Sequence, residues 1–247
     1  MYFSVIIPAY NEQSLLEGTI KSLRDSIDSI AGDRRWEVLV VDNNSSDQTA
    51  SIAKRLGCKV CFEPIRSIAK ARNHGARLAM GKYLLFLDAD THVPASTLRK
   101  AVQLITKKKM GYVGAKLCFD QDHGRFISGR LIPAFWNLIS RNFGLFAGSF
   151  VFCRKDLFEF CGGFPEDFYA GEEIVLAKKM KKKCKSLGWS SRIMPKHFVV
   201  SSARKLAWYK DFDLLRMLLP LVLSNQSLQN QSRCAFWYKR PEKVCSQ

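Results

Sequence analysis

Residues 67–90 read SIAKARNHGARLAMGKYLLFLDAD, and this stretch decides the fold class. Residues 67–80 read as a helix closed by Gly81. KYLLFL then forms an apolar strand, and Asp88-Ala89-Asp90 stands at its end. A strand without a polar face belongs in a parallel sheet covered on both sides by helices. In such sheets ligands bind beyond the carboxyl ends of the strands. A carboxylate pair at that point can hold Mn2+ or Mg2+ beside a diphosphate, because these ions take oxygen ligands and share their shell with substrate phosphates. The same short pattern also fits a turn with two solvated aspartates.

The same pattern repeats along the first half of the chain. FSVIIP is a buried strand stopped by Pro8. Ser14 and Glu17 have the spacing of a capping box, and Leu16, Ile20, Leu23, Ile27 and Ile30 lie on one helical face. WEVLVVD is the next strand, Ser46 or Asp47 can cap a short helix ending at Gly57, and KVCF is a third strand. Pro94 opens a helix through Leu98, Val102 and Ile105. This order predicts an α/β fold with a mixed, mainly parallel sheet flanked by helices. The polar clusters fall just after strands: Pro8-Ala9-Tyr10-Asn11-Glu12, Asp42-Asn43-Asn44-Ser45-Ser46-Asp47, and Asp88-Ala89-Asp90. Asp42 can accept from a base N–H or a ribose hydroxyl, although Asp and Asn also serve capping turns. Arg72 can pair with phosphate, while an exposed helical arginine is ordinarily solvated.

The second half is less regular. MGYVGAKL and GSFVFCR read as strands, with an ambiguous aromatic segment between them. Glu172 starts a helix with Ala177, Met180, Cys184 and Leu187 on one face, ended by Gly188. Residues 206–247 change character: Trp208, Phe212, Leu215, Leu219 and Val222 follow helical spacing beside Lys210 and Arg216. That tail can pack on the domain or lie in a membrane interface. The boundaries expected are a domain over 1–205, divided into halves 1–109 and 110–205, and the amphipathic tail from 206.

Of the 247 residues 47% are hydrophobic, enough for a real core, and the net charge is +17. Such charge suits nucleic acid, an anionic membrane or phosphorylated substrates. It concentrates at Lys107–Lys109 and in the run from Lys178 to Lys185, read either as solvated helix faces or as contacts for anionic headgroups. No zinc-finger spacing or RNA-recognition aromatic motif supports nucleic acid as a partner. Eight cysteines include the Cys58/Cys61 pair, but strand alternation puts those thiols on opposite faces, as expected of core thiols in a reducing compartment. MYFSVIIPAYNE lacks a basic leader region, and no apolar run reaches membrane-spanning length; the expected location is cytoplasmic, with peripheral contact at the inner membrane face.

SVIIPAYNE, VLVVDNNSSD, AKARNHGARLAMGKYLLFLDAD and CGGFPEDFYAGEE, in this order, resemble the family 2 glycosyltransferases of GT-A fold, over roughly residues 3 to 200. The resemblance implies a nucleotide-diphosphosugar donor, UDP-linked by default, a divalent metal, and inversion at the anomeric carbon. By position, Pro8, Ala9, Tyr10, Glu12, Asp42 and Asn44 resemble nucleoside contacts, and Arg72 lies where the family helix approaches the nucleotide. Asp88 and Ala89 resemble the ribose or metal side of the Asp-x-Asp, and Asp90 the principal metal ligand. The family base is the second acid of a Glu-Asp pair opening a helix; here the pair is Glu172-Glu173, one methylene longer at the second position. Two glutamates also suit any helix N-terminus. His197, placed after the strand SSRIMP, fits the late metal-binding histidine of such enzymes or an ordinary structural one. Arg204 can grip the diphosphate or face solvent. The acceptor implied is a carbohydrate or lipid-linked hydroxyl.

Two other functions fit less of the sequence. A nucleotide-sugar-binding module without catalysis, serving a partner protein, would account for Glu173 and the unfamiliar tail. Nucleotidyl transfer wants a Gly- and Lys-rich phosphate loop after the first strand, where this chain has PAYNE.

Overall fold

The computed structural model describes residues 2–30, 32, 35–120, 134, 137–138, 140–204, 228–230 and 234. The elements are β1 (Tyr2–Ala9), α1 (Leu16–Asp28), β2 (Arg35–Asp42), α2 (Thr49–Arg55), β3 (Lys59–Phe62), α3 (Ile68–Leu78), β4 (Tyr83–Leu87), β5 (Thr91–His92), α4 (Ala95–Ile105), β6 (Met110–Phe119), β7 (Phe150–Arg154), α5 (Lys155–Phe160), α6 (Glu172–Ser186) and β8 (Ser190–Ser201). One eight-stranded sheet runs in the order β3-β2-β1-β4-β7-β6-β8-β5. β3, β2, β1 and β4 are mutually parallel, β7 runs antiparallel to both β4 and β6, and β8 is parallel to β6. The sheet is therefore continuous from the first half of the chain into the second. Of the predicted tail, residues 228–230 and 234 are described, and the rest lies outside the described residues. Leu228 and Cys234 pack with Tyr169 and Ala170 just before α6, and the Leu228 carbonyl accepts from the Tyr169 amide at 2.8 Å.

Alternation along β1 divides the core. Phe3, Val5 and Ile7 face a cluster with Leu16, Ile20 and Leu23 of α1 and Leu98, Val102 and Ile105 of α4. Ile6 faces the opposite cluster, with Ala69, Ala71 and Ala76 of α3, Leu157 and Phe158 of α5, and Leu176 and Met180 of α6. The sheet is thus covered on both faces, as its apolar strands require. Cys58 packs on the first cluster and Cys61 on the second, as strand alternation demands.

Several local expectations change. The capping box at Ser14 and Glu17 does not form: α1 starts at Leu16 without a side-chain cap, and Glu17 pairs with Lys21 and Arg55 instead. The carbonyl of Glu12 accepts from the amides of Leu15 and Leu16 and takes over the first turn. Asp47 serves α2, accepting from the Thr49 amide at 2.9 Å. α3 already ends at Leu78, and Gly81 has a different duty: a Cβ there would lie 2.6 Å from Ser4 Oγ and 2.7 Å from Ser4 N, so the chain passes too close to β1 for a side chain. β8 runs through Pro195 to Ser201, so His197 sits within the strand and not after it.

Candidate active site

The parallel strands bring three acidic residues to one edge. Ala9 pairs with Asp42 in register, which sets the ends of β1 and β2 side by side. Asp88 follows β4, the other neighbour of β1. Asp42 is buried and accepts from the Ser45 amide at 3.1 Å, closing the turn that carries Asn44 at φ 65°. Asn43 is structural: its amide donates to the carbonyls of Glu63 and Ile65, and its oxygen accepts from the Ser67 amide. Asn11 latches the β1 loop to the β2 loop by accepting from Ser46 N at 2.8 Å. Tyr10 has the Arg66 guanidinium over its ring at 4.0 Å.

The Asp-Ala-Asp turn is held from both sides. Thr19 Oγ1 of α1 donates to the Ala89 carbonyl at 2.8 Å. Ser202 N donates to the Asp90 carbonyl, and Ser201 Oγ donates to Asp90 Oδ1 at 3.2 Å. Two arginines then join the acids. Arg204 binds Glu12 and lies 3.9 Å from Asp90 Oδ2. Arg72, 2% exposed, donates to Asp88 Oδ1 at 2.8 Å, to Glu172 Oε1 at 2.6 Å and to the Gly148 carbonyl at 3.0 Å. The structure thus assembles Glu12, Arg204, Asp90, Asp88, Arg72 and Glu172 into one charged chain across the strand tips. The solvated reading of Arg72 fails, because its guanidinium is spent inside the protein. Burial opposes its charge, yet Asp88 and Glu172 outweigh that and raise its pKa.

Beside Arg72 on α3, Asn73 clasps the loop leading to α6: its amide donates to the Phe164 carbonyl, and its oxygen accepts from the Phe164 amide. Gly171 precedes α6 at φ 72°, a left-handed turn that glycine takes without steric cost. Glu172 is buried against Arg72; burial raises its pKa although Arg72 pulls the other way. Glu173 is half-buried, and desolvation together with the negative Glu172 lifts it to about 8. Once deprotonated, a carboxylate raised to that range is basic enough to take a proton from a hydroxyl.

His197 stays apart. It precedes Ser201, the residue that touches Asp90, by four strand positions, about 13 Å at the usual strand rise. Among the described residues no group of three or more His, Cys, Asp or Glu side chains is arranged to hold an ion by itself. A hard divalent ion beside a diphosphate needs only one or two protein carboxylates. Asp88, its side chain 29% exposed, and Asp90 fit that requirement.

Acidic side chains at the carboxyl tips of a helix-covered, mainly parallel sheet fit the GT-A fold of glycosyltransferases, and solved structures similar to this chain share that architecture. A mannosyltransferase from Pyrobaculum calidifontis, solved with GDP-Man and Mn2+, superposes with a TM-score of 0.64 at 23% identity, covering 97% of this chain and 65% of that one. Glucosyl-3-phosphoglycerate synthase from Mycobacterium tuberculosis, solved with Mn2+, UDP-glucose and phosphoglyceric acid, gives 0.61 at 18% identity over 95% and 80% of the two chains. The family model for glycosyl transferase family 2 matches residues 4–162, and the chain belongs to that family. Glycosyltransferase AglE of Haloferax volcanii is 26% identical over 90% of this chain and 79% of its own. The dolichyl-phosphate beta-glucosyltransferase of Saccharomyces cerevisiae is 32% identical over 43% of this chain. The chain spans 35% of that yeast relative's length.

Proposed function

We propose that this glycosyltransferase moves a sugar from a nucleotide diphosphate, by default UDP, to an acceptor hydroxyl, with metal assistance and inversion. The observation that supports this reading is the placement of Asp42 and Asp88 at the tips of the two strands that flank β1, with Asp90 in the turn after β4 and Glu172, the neighbour of Glu173, tied to Asp88 through Arg72. In this reading Asp42 and the Tyr10 and Asn44 turns receive the nucleoside. Pro8 and Ala9 bring the β1 backbone up to it. Asp88 and Asp90 hold Mn2+ or Mg2+, which when bound offsets negative charge on the departing diphosphate. Glu12 positions Arg204 beside Asp90, where its charge reinforces the same end of the site. Glu173 accepts the acceptor proton; burial weakens its acidity, and the negative charge of Glu172, fixed by Arg72, weakens it further. Arg72 acts as a positioning residue between the Asp-Ala-Asp turn and α6. The His197 metal role has no support from its place on β8.

The test is nucleoside diphosphate release from a panel of UDP-, GDP- and dTDP-sugars with Mn2+ and with sugar or polyprenyl-phosphate acceptors. Release from at least one donor, lost in Asp90→Ala, is the expected result. No release from any donor by the native chain counts against the reading.

A further inference from the structure

We infer that the exposed side of α6 is a docking surface for an anionic phospholipid bilayer. After Glu173 the helix carries no acid and six lysines, at 178, 179, 181, 182, 183 and 185. The buried side is accounted for by Leu176, Ala177, Met180 and Cys184, so the lysines are displayed outward. Lys178, Lys181, Lys182 and Lys185 follow helical spacing and rim an open groove of about 800 Å3. The groove's floor is apolar, built from Leu145, Ile174 and Trp189.

Large apolar side chains stand exposed on both flanks of this lysine face. Phe143 is 61% exposed, and its carbonyl accepts from Lys181 Nζ at 2.7 Å. Phe160 is 67% exposed, with Lys183 Nζ 3.4 Å from its ring centre. Leu187 follows the last residue of the same helix, also exposed. Cations beside protruding phenylalanine and leucine match the two layers of a bilayer surface, headgroup phosphate above and acyl chain below.

Charge excludes the nearer alternatives. A second copy brings another net charge of +17. Residues 205–247 hold seven Lys or Arg against Asp211, Asp213 and Glu242, so the tail does not complement a lysine face either. Nucleic acid would satisfy the lysines but gives an apolar groove floor nothing to do. The surface also begins close to the chemistry. Lys178 lies five residues along α6 from Glu173, about 8 Å at the usual helical rise, so a docked face would hold the opening of α6 near the headgroup layer.

The experiment is sedimentation of the full chain with phosphatidylcholine–phosphatidylglycerol vesicles, pure phosphatidylcholine vesicles, and a mixed-sequence RNA oligomer. Binding to the anionic vesicles alone, weakened by added salt, is expected. K178Q/K182Q/K185Q removes three exposed charges and leaves the Lys181 bond to Phe143 intact; it is expected to lower vesicle partitioning about a hundredfold at an unchanged unfolding temperature. F143S/F160S keeps every charge and is expected to lower it further at high salt. Equal binding by K178Q/K182Q/K185Q and the native chain overturns the proposal, as does binding to RNA without binding to anionic vesicles. Because the readout is partitioning, its failure leaves the transfer chemistry untouched, and a chain without transferase activity can still pass it.

Discussion

Arg72 and Glu172, 100 residues apart in sequence, meet at 2.6 Å with both side chains almost wholly buried, and the same guanidinium holds Asp88 at 2.8 Å. One arginine thus connects the turn after β4 to the helix that presents Glu173. Removing it leaves a buried carboxylate without its counter-charge, which costs about 3–5 kcal/mol. Arg72→Met is therefore expected to lower stability by that order in urea denaturation. Arg72→Lys should not rescue it, because an ammonium cannot reproduce the forked contacts to Asp88, Glu172 and Gly148. Native stability in Arg72→Met would show that the connection is dispensable.

Glu173 should govern the pH dependence of turnover. Its carboxyl sits at about 8, raised by desolvation and by Glu172, and only the deprotonated form can act as base. The rate is expected to climb as pH rises toward 8 and to level above it. Glu173→Gln should abolish turnover while nucleotide affinity stays within about twofold, since the group is asked to act only on the acceptor proton. A pH-independent rate between 6 and 9 would place the base elsewhere.

The same shift makes a stability prediction of definite sign. A carboxyl whose pKa is raised from 4.5 to about 8 on folding binds more protons in the native state across that interval. Its contribution is fully present below 4.5 and is lost as pH rises through 8. Glu173→Gln, neutral at every pH, should therefore gain stability relative to the native chain as the buffer is taken from acid to pH 9. Parallel stability curves for the two proteins would contradict this.

Gly75 lies where α3 presses on the sheet: an added Cβ would meet Ile6 Cγ2 at 2.5 Å and Val41 Cγ2 at 2.9 Å. Both neighbours are buried strand side chains without room to retreat. Gly75→Ala is expected to destabilise by about 1–3 kcal/mol, despite alanine's better helix propensity. A stabilised variant would mean that α3 can lift from the sheet at no cost.

The strand–helix order of the first half was legible because its central strands, FSVIIP and YLLFL, are short, apolar and buried, and each is followed by a polar turn. Those strands and WEVLVVD also told where Asp42, Asp88 and Asp90 would gather, since parallel strands end on one edge. The charged chain across that edge was not legible. The contact of Glu12 with Arg204 spans 192 residues, and that of Arg72 with Glu172 spans 100, so no local spacing announces either. Arg72 looked like any arginine on a helix; its burial follows from the packing of α3 between the sheet and the Phe164 loop. The end of β8 was misplaced for the opposite reason: Pro195 looked like the end of a strand that continues through His197 to Ser201.

In the proposed function Asp88 and Asp90 would hold a divalent ion on a nucleoside diphosphate. Thermal unfolding of the native chain and of Asp90→Ala, each with UDP, with Mn2+ and with both, tests it most directly. A rise in unfolding temperature is expected when UDP and Mn2+ are present together, greater than either gives alone and missing in Asp90→Ala. If GDP or dTDP gives the metal-dependent rise instead, only the default donor changes. Failure of all three diphosphates to stabilise the native chain with metal, or an equal rise in Asp90→Ala, would rule out a metal and diphosphate site at Asp88 and Asp90.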